Sequence, residues 1–368
     1  AIVLGKTNTP EFGAGANTRN VVYGATGNAF DPAKSAAGSS GGSAVALATG
    51  MVPIASGSDT GGSLRNPAAF NGIVGFRPSA GLVPSERRGL GWSNLPVLGP
   101  MARSAEDCAL LLSAMADDDA ADPLAYTLPD RAVRKGPGFY FPPAPVDLSR
   151  LRVAATPDFG FAPTERHIRD VCAERVAKLE SLFARVESAT PDCRGTDESF
   201  EVLRAAAFLQ AHLEKVRKTP DQVGPNVRAN VEEGLRYGPA DYARAAAEQT
   251  RIYRVWQEFF RHHDLIVSPA ITISPRSWRE LYPAEIDGQP TRTYFHWLAL
   301  AYAVTLVGHP AVSIPLGRDR AGMPFGLQVV GPRGGDALVL AVAAAIEAAV
   351  AGDATLARPA PDIAQLRA

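Results

Sequence analysis

Val52-Pro53-Ile54-Ala55-Ser56-Gly57-Ser58-Asp59-Thr60-Gly61-Gly62-Ser63 is the stretch on which the reading of this chain turns. Val52–Ser56 has the apolar, turn-bounded character of a short strand, and it runs directly into a polar, glycine-rich turn. A helix is predicted from Ser63 to Gly72, where glycine ends it, and Ile73-Val74-Gly75-Phe76 reads as a second buried strand. Upstream, Ser43-Ala44-Val45-Ala46-Leu47-Ala48-Thr49-Gly50 reads as a helix of good formers that also stops at glycine. Two Gly-rich turns, Gly38–Gly42 and Gly57–Gly62, therefore stand next to helix starts.

Working outward, Gly13–Gly42 is rich in Gly, Ala, Asn and Ser and has little periodicity, which predicts a long structured loop of the kind that carries function. Ile2–Leu4 reads as a short buried strand. Ala105–Ala116 reads as an amphipathic helix, and Asp117-Asp118-Asp119 followed by Pro129, Pro137, Pro142, Pro143 and Pro145 as a punctuated linker. Beyond it, a strand is predicted at Leu151–Ala155 and a helix over Thr164–Leu182 with Thr164 as its cap. Ser199–Lys218 and Pro239–His262 read as two long helices with one solvated face. Leu265–Ser268, Ala311–Pro315 and Gly326–Val330 are strand-like, and Asp336–Val350 is a final Ala-rich helix. Strand and helix alternate at both ends without any internal repeat, so the expected class is α/β, a sheet covered by helices.

The 368 residues carry 37 Lys+Arg against 38 Asp+Glu, a formal charge of −1 with no basic stripe, so a polyanion is not the expected partner. With 46% hydrophobic and 20% charged residues the chain can build a core, which excludes disorder. No apolar run reaches bilayer length and no leader-like pattern opens the sequence, so a soluble protein is expected. Cys108, Cys172 and Cys193 are odd in number and far apart, which fits reduced thiols in a cytoplasm better than disulfides or zinc. The chain opens on the apolar Ala1-Ile2-Val3-Leu4 without Met and is expected to begin inside a structural element.

Several local motifs do not hold up. Gly5-Lys6-Thr7 lacks the glycine loop that a phosphate site requires. Asp59-Thr60-Gly61 occurs once, whereas an acid-protease dyad needs two carboxylates sharing a proton. Gly38-Ser39-Ser40-Gly41-Gly42 fits G-x-S-x-G, but no strand precedes it. His262 and His263 sit in a charged stretch and are expected to be exposed; His309 could pair with a serine, although a lone loop histidine is more often structural. No His/Cys/Asp/Glu cluster has metal-ligand spacing, and no cofactor is implied. The two Ser-Gly motifs say more together. Glycines around Ser39 allow close backbone approach, and Thr60-Gly61-Gly62-Ser63 can aim successive N–H groups at one point where negative charge develops. A pair of tight turns using glycine only for positive φ is the plain alternative, and both readings stay open at this level.

Taken in order, Gly38-Ser39-Ser40-Gly41-Gly42-Ser43, Gly57-Ser58-Asp59-Thr60-Gly61-Gly62-Ser63-Leu64-Arg65-Asn66-Pro67-Ala68 and Gly72-Ile73-Val74-Gly75-Phe76-Arg77-Pro78-Ser79 resemble the signature of the amidase signature family of hydrolases. Gly5-Lys6-Thr7-Asn8 with Pro10-Glu11-Phe12 resembles the motif that precedes it. Gly308 with Pro310–Pro315, and Pro324-Phe325-Gly326-Leu327-Gln328, resemble the family's C-terminal strands. The likeness is specific over 1–116 and 265–349 and vague between. It implies one α/β/α domain over 1–368 with a mixed central sheet: a signature core at 1–116, a variable linker and helical region at 117–264, and the rest of the core at 265–368. It also implies a Ser-Ser-Lys triad that hydrolyses a carboxamide through an acyl-enzyme. Ser63 matches the nucleophile, and Ser39 matches the relay serine, whose peptide bond is cis in the family. The N–H groups of Thr60, Gly61, Gly62 and Ser63 match the oxyanion hole. Ser40, Asp59 and Arg65 match supporting residues, with Gly38 beside them, and Gly13 and Ala14 fall where the acyl pocket is lined.

The triad lysine has no match. Lys6 belongs to the Gly-Lys-Thr-Asn motif and Lys34 to the loop, so the base is expected on a strand upstream of Ala1; an inactive relative is the other reading. Such a lysine acts only when neutral, with its pKa brought from roughly 10.4 toward 7–8 by burial. The family also includes the glutaminase subunits of tRNA-dependent amidotransferases, which carry a Ser-Ser-Leu-Asp-Gln segment after the signature. Here that stretch is Trp92-Ser93-Asn94-Leu95-Pro96-Val97-Leu98-Gly99-Pro100, which favours a free-standing amidase acting on a small-molecule amide. Gly13-Ala14-Gly15-Ala16 predicts a roomy acyl pocket. Amidotransferase partners belong to the glutaminase alternative, and a homodimer is left open.

Overall fold

The computed structural model describes residues 2–86, 88–125, 139–364 and 366. Its centre is an eight-stranded mixed sheet built from β1 (Ile54–Asp59), β2 (Val74–Arg77), β3 (Val97–Ala102), β4 (Arg152–Ala155), β5 (Arg185–Ser188), β6 (Leu265–Pro269), β7 (Ala311–Arg318) and β8 (Pro324–Val330). The spatial order is β1-β3-β2-β7-β8-β6-β4-β5, with β4 parallel to both β5 and β6 and every other neighbour antiparallel.

Alternation along the strands splits the core into two layers. Leu265 and Val267 of β6 join one apolar cluster with Val153, Val312, Ile314, Leu327 and Val329, whereas Ile266, Ala154, Ala311 and Val330 face the other. The first layer is closed by α3 (Ala105–Met115), α4 (Arg166–Leu179) and α9 (Asp336–Val350). Trp256 and Ile252 of α7 (Pro239–Phe259) and most of α8 (Ala299–Val307) close the second. The mixed sheet flanked by helices gives the α/β/α arrangement expected of the sequence. Two further helices, α5 (Thr196–Lys218) and α6 (Pro225–Gly234), build the middle region together with α7. Near the signature, α1 (Gly41–Ala48) and α2 (Arg65–Asn71) follow the two glycine turns.

Several local expectations need correction. Ile2, Val3 and Leu4 form no strand and are 89%, 86% and 72% exposed, because no neighbouring strand among the described residues accepts their backbone groups. Thr164 does not cap α4: Glu165 holds the cap position and the Thr164 hydroxyl donates to Ala162 O instead. Of the linker prolines, Pro129 and Pro137 lie outside the described residues. Strand β3 was not expected, since Gly99-Pro100 reads as a turn. It persists because β2 pairs only with its last two residues, Met101 and Ala102, leaving Pro100 with a partner on one side, Ser56 of β1. Helix α8 was also unexpected: all nine of its residues are buried, so it has no polar face to reveal a helical period.

Candidate active site

Strand β1 ends at Asp59, and the turn Thr60-Gly61-Gly62-Ser63 leads into α2. The Asp59 carboxylate is fully buried and organises this turn. Its Oδ1 accepts from Gly62 N (3.0 Å), Arg65 Nη2 (2.9 Å) and Arg77 Nη1 (3.0 Å), and its Oδ2 from Leu64 N (3.2 Å) and Arg65 Nε (3.1 Å). Burial works to raise the Asp59 pKa, but the two guanidiniums and the backbone donors hold it well below the usual carboxylate range. Burial pulls Arg77 down to about 10 even against the pull of Asp59.

The rest of the Arg65 fork reaches across the sheet. Its Nη1 donates to Ala301 O (3.0 Å) and Gln328 Oε1 (2.7 Å), and its Nη2 to Thr305 Oγ1 (3.1 Å). Gln328 of β8 in turn donates to Ser268 Oγ and Leu300 O. The signature turn is thus bolted to the C-terminal strands and to α8. Both carboxylate oxygens of Asp59 and all three nitrogens of Arg65 have partners, which makes the pair tolerable in a dry interior. Arg77 Nε is the one guanidinium nitrogen of this hub without a partner among the described residues.

Gly62 has φ 99°, and a Cβ there would stand 2.5 Å from Asn66 Nδ2 and collide with the Ala301 methyl, so no other residue fits without a shift. Its N–H is engaged by Asp59, which narrows the four predicted oxyanion donors. Thr60, Gly61 and Ser63 have backbone N–H groups with no acceptor among the described residues. Asn66 Nδ2 donates to Gly61 O (3.1 Å) and fixes that peptide plane.

The second turn packs against the first. The Gly38–Ser39 peptide is cis, Ser39 is 4% exposed, and Ser40 N donates to Ser63 O at 3.4 Å. Ser40 Oγ bridges to the Ser58 backbone, accepting from its N at 3.4 Å. Gly38 is required by proximity: a Cβ there would lie 2.9 Å from Gly15 O and 3.0 Å from Ala16 C. Gly13, with φ 69°, would place a Cβ 3.7 Å from Ser39 Oγ, and Ala14 beside it is buried. The structure therefore gathers Gly13, Ala14, Gly38, Ser39, Ser40, Asp59, Thr60, Gly61, Gly62, Ser63 and Arg65 in one place. Neither the Ser39 nor the Ser63 hydroxyl has a hydrogen-bond partner among the described residues.

Other residues of the site carry no mark of it in the sequence. Thr18 is fully buried; its Oγ1 donates to Ala37 O (2.8 Å) and accepts from Gly41 N (3.1 Å), holding the cis loop from both sides. Arg77 lies inside the Gly72–Ser79 motif, but its role depends on β2 running past Asp59. Phe200 of α5 and Leu298 approach Gly61 from the far side, at 3.7 Å and 3.6 Å from where its Cβ would be. Asn226 of α6 donates to Ala14 O (3.0 Å), and Val223 and Val227 pack on the Ala14 side chain. The helical middle region thus lines the site.

His309 does not complete a pair with serine. It is buried, its Nδ1 meets Gly331 O (2.8 Å), its Nε2 meets Gln257 Nε2 (2.9 Å), and burial pushes it down to about 4. His262 is exposed as expected, but His263 is buried, its Nε2 2.6 Å from Glu187 Oε1, because β5 brings that carboxylate beneath it. Lys6 is exposed and Lys34 reaches Asp31 at 4.0 Å, so neither occupies the buried setting that a catalytic lysine needs. Among the described residues no group of three His, Cys, Asp or Glu could hold a metal, and no helix is long and apolar enough to cross a membrane.

The comparison with known proteins agrees with this geometry. The Amidase family model matches residues 1–340. An acylamidase of Rhodococcus erythropolis is 33% identical over 350 residues, covering 94% of this chain and 72% of that protein. A glutamyl-tRNA(Gln) amidotransferase subunit of Thermus thermophilus is 35% identical over 377 residues, covering 95% and 76%. Among solved structures, a bacterial aryl acylamidase of the amidase signature family superposes with a TM-score of 0.82 at 25% identity, over 94% of this chain and 72% of that one. With the paired glycine turns, the buried Asp59 hub and the mixed sheet all in place, this chain belongs to the amidase signature family and is an amide-hydrolysing enzyme.

Proposed function

We propose that Ser63 is the nucleophile of a seryl acyl-enzyme mechanism on a small-molecule carboxamide. The observation that carries this reading is the turn itself: three unspent N–H groups, of Thr60, Gly61 and Ser63, at the start of α2 beside two serine hydroxyls without partners among the described residues. Attack of Ser63 Oγ on the carbonyl carbon puts charge on the carbonyl oxygen, where preorganised donors stabilise it by about 3 kcal/mol each. Collapse expels the amine, which needs a proton, and in this reading Ser39 passes on the one that Ser63 gives up. Water then cleaves the ester, releasing carboxylate. The final acceptor for the Ser39 proton is assigned to no residue of this sequence. Ser40, Asp59 and Arg65 hold the turns, and Gly13 and Ala14 leave room for the acyl group.

An acyl amide, rather than glutamine, is the preferred substrate class. The acylamidase relative supports it, and so does the stretch Trp92–Pro100, which lacks the Ser-Ser-Leu-Asp-Gln segment of the glutaminase subunits. All three cysteines are free and buried, which suits a reducing, cytoplasmic setting. The test is labelling of the full-length protein by a fluorophosphonate probe together with anilide hydrolysis. Ser63→Ala is expected to abolish labelling and lower kcat by about 10⁴-fold or more. Labelling that survives in Ser63→Ala, or ammonia release from glutamine faster than from acyl amides, would overturn the respective part of the reading.

A further inference from the structure

Asn66 is fully buried at the start of α2, three residues past Ser63, and its side-chain amide is only half used. Its Nδ2 donates to Gly61 O at 3.1 Å, while its Oδ1 is buried with no partner among the described residues. A buried oxygen without a donor costs stability, and an apolar side chain in the same place would not incur that cost. The Asn66 backbone N–H donates to the next carbonyl along, Gly62 O, at 2.7 Å. One residue therefore holds two successive carbonyl oxygens of the oxyanion turn.

Peptide planarity says what these two bonds do. In a trans peptide the C=O and the N–H point in opposite directions, so fixing one aims the other. Gly62 O shares its plane with the Ser63 N–H, and drawing that oxygen to Asn66 N aims the Ser63 N–H the opposite way. Gly61 O shares its plane with the Gly62 N–H, which Asp59 Oδ1 accepts at 3.0 Å. That plane is thus gripped at both ends, by Asp59 on one side and the Asn66 side chain on the other. The soft torsions flanking it are ψ of Gly61 and φ of Gly62, and neither residue has a Cβ to limit them. Phe200 and Leu298 leave ordinary contact distance beside Gly61, so hydrogen bonds rather than crowding set the plane there. It is also the link between the Gly61 and Ser63 N–H groups, and it fixes how these two unspent donors stand to each other.

We infer that Asn66 is a positioning residue for amide hydrolysis by this chain: its side-chain amide holds the Gly61–Gly62 peptide so that the Gly61 and Ser63 N–H groups meet the oxyanion together. Placement of the donors, not stability, is what this amide contributes. The inference rests on Ser63 being the nucleophile, as proposed above.

The experiment compares the full-length wild type with Asn66→Ala, using an acyl anilide as substrate and phenylboronic acid as a probe that forms a tetrahedral adduct on a reactive serine. Because the donors act on the transition state, kcat is expected to fall about 10–100-fold while KM stays within about threefold. The inhibition constant of the boronic acid should rise by a similar factor to the fall in kcat. The urea midpoint should stay close to wild type, since Ala is the better helix former and leaves no unpartnered oxygen. If Asn66→Ala does not fold, Asn66→Leu lacks the donor, fills the space and carries the same expectations. A kcat within threefold of wild type, or a KM and urea midpoint that move along with kcat, overturns the inference. If the wild type neither hydrolyses the anilide nor binds the boronic acid, the hydrolase reading fails instead. Hydrogen exchange at the Gly62 N–H then decides the inference: faster exchange in the variant supports it, and equal exchange overturns it.

Discussion

The backbone N–H of Ser40 donates to the carbonyl oxygen of Ser63 at 3.4 Å, joining two glycine turns main chain to main chain. The frame of the site is therefore independent of the two serine hydroxyls, which have no partners of their own among the described residues. Ser39→Ala is accordingly expected to leave thermal stability within about 1 kcal/mol of wild type while cutting kcat by about 10²–10⁴-fold. Melting curves beside steady-state kinetics check this; a stable variant with full activity would remove Ser39 from the proton path.

Thr18 supports the same turn from beneath through Ala37 O and Gly41 N. Thr18→Val keeps the volume but strips Gly41 N of its acceptor in a dry setting, while Ala37 O keeps the Thr18 backbone N–H. Loss of about 2 kcal/mol in urea unfolding is expected, with a drop in kcat larger than any rise in KM, since the loop carries Ser39 rather than the pocket wall. Thr18→Ser should recover most of both.

At Gly62 the backbone and the packing exclude a side chain together. Its φ of 99° is unsuited to L residues, and the new methyl of Gly62→Ala would meet Asn66 and Ala301. The turn would have to move, carrying the Gly61 and Ser63 N–H groups off target. We expect at least about a 10²-fold loss in kcat/KM and about 2 kcal/mol or more of destabilisation, read by acylation rates and chemical unfolding.

How much of this could be read beforehand follows from where each signal resides. The turns around Ser39 and Ser63 are local, glycine-marked and adjacent to helix starts, so they were legible, as was the alternation that gives the sheet. Contacts across the fold were not. Thr18 sits in a loop without periodicity, and its value appears only when Ala37 and Gly41 close around it. His263 looks solvated among charges until β5 brings Glu187 to it. Helix α8, buried on every side, has no amphipathic stripe, and Gly99-Pro100 disguises β3. The middle helices looked like a solvated layer, yet Phe200 and Asn226 turn inward to the site. Charge pattern marks which faces are wet, and it is silent on which inward residue meets which loop.

Asp59 is the one counter-charge that two buried arginines share among the described residues, and its removal strands both. Asp59→Asn should cost about 3–5 kcal/mol, because Arg65 and Arg77 would remain buried without a counter-charge. In the wild type the depressed Asp59 pKa contributes stability that is complete above the unfolded value near 4. That stability is lost as pH falls below it toward the folded value. Urea midpoints measured from about pH 7 to pH 3 should therefore show the Asp59 contribution undiminished down to about pH 5, and an Asp59→Asn variant should lack the acid-side decline it causes.

His309 governs a different window. Burial lowers it from 6.5 to about 4, so the folded state keeps it neutral where the unfolded chain takes up a proton. Above pH 6.5 both states are neutral and His309 contributes no slope; as pH falls from 6.5 toward 4, stability declines by about 3 kcal/mol from this group alone. His309→Gln can retain hydrogen bonds to Gln257 and Gly331 while abolishing the titration. Its unfolding free energy should be lower than wild type at about pH 8, from imperfect packing against Phe260 and Trp256, yet the gap should close between pH 6.5 and pH 4. Equilibrium unfolding at several pH values across this window distinguishes this from a parallel offset, which would mean that His309 takes up its proton without cost in the folded protein.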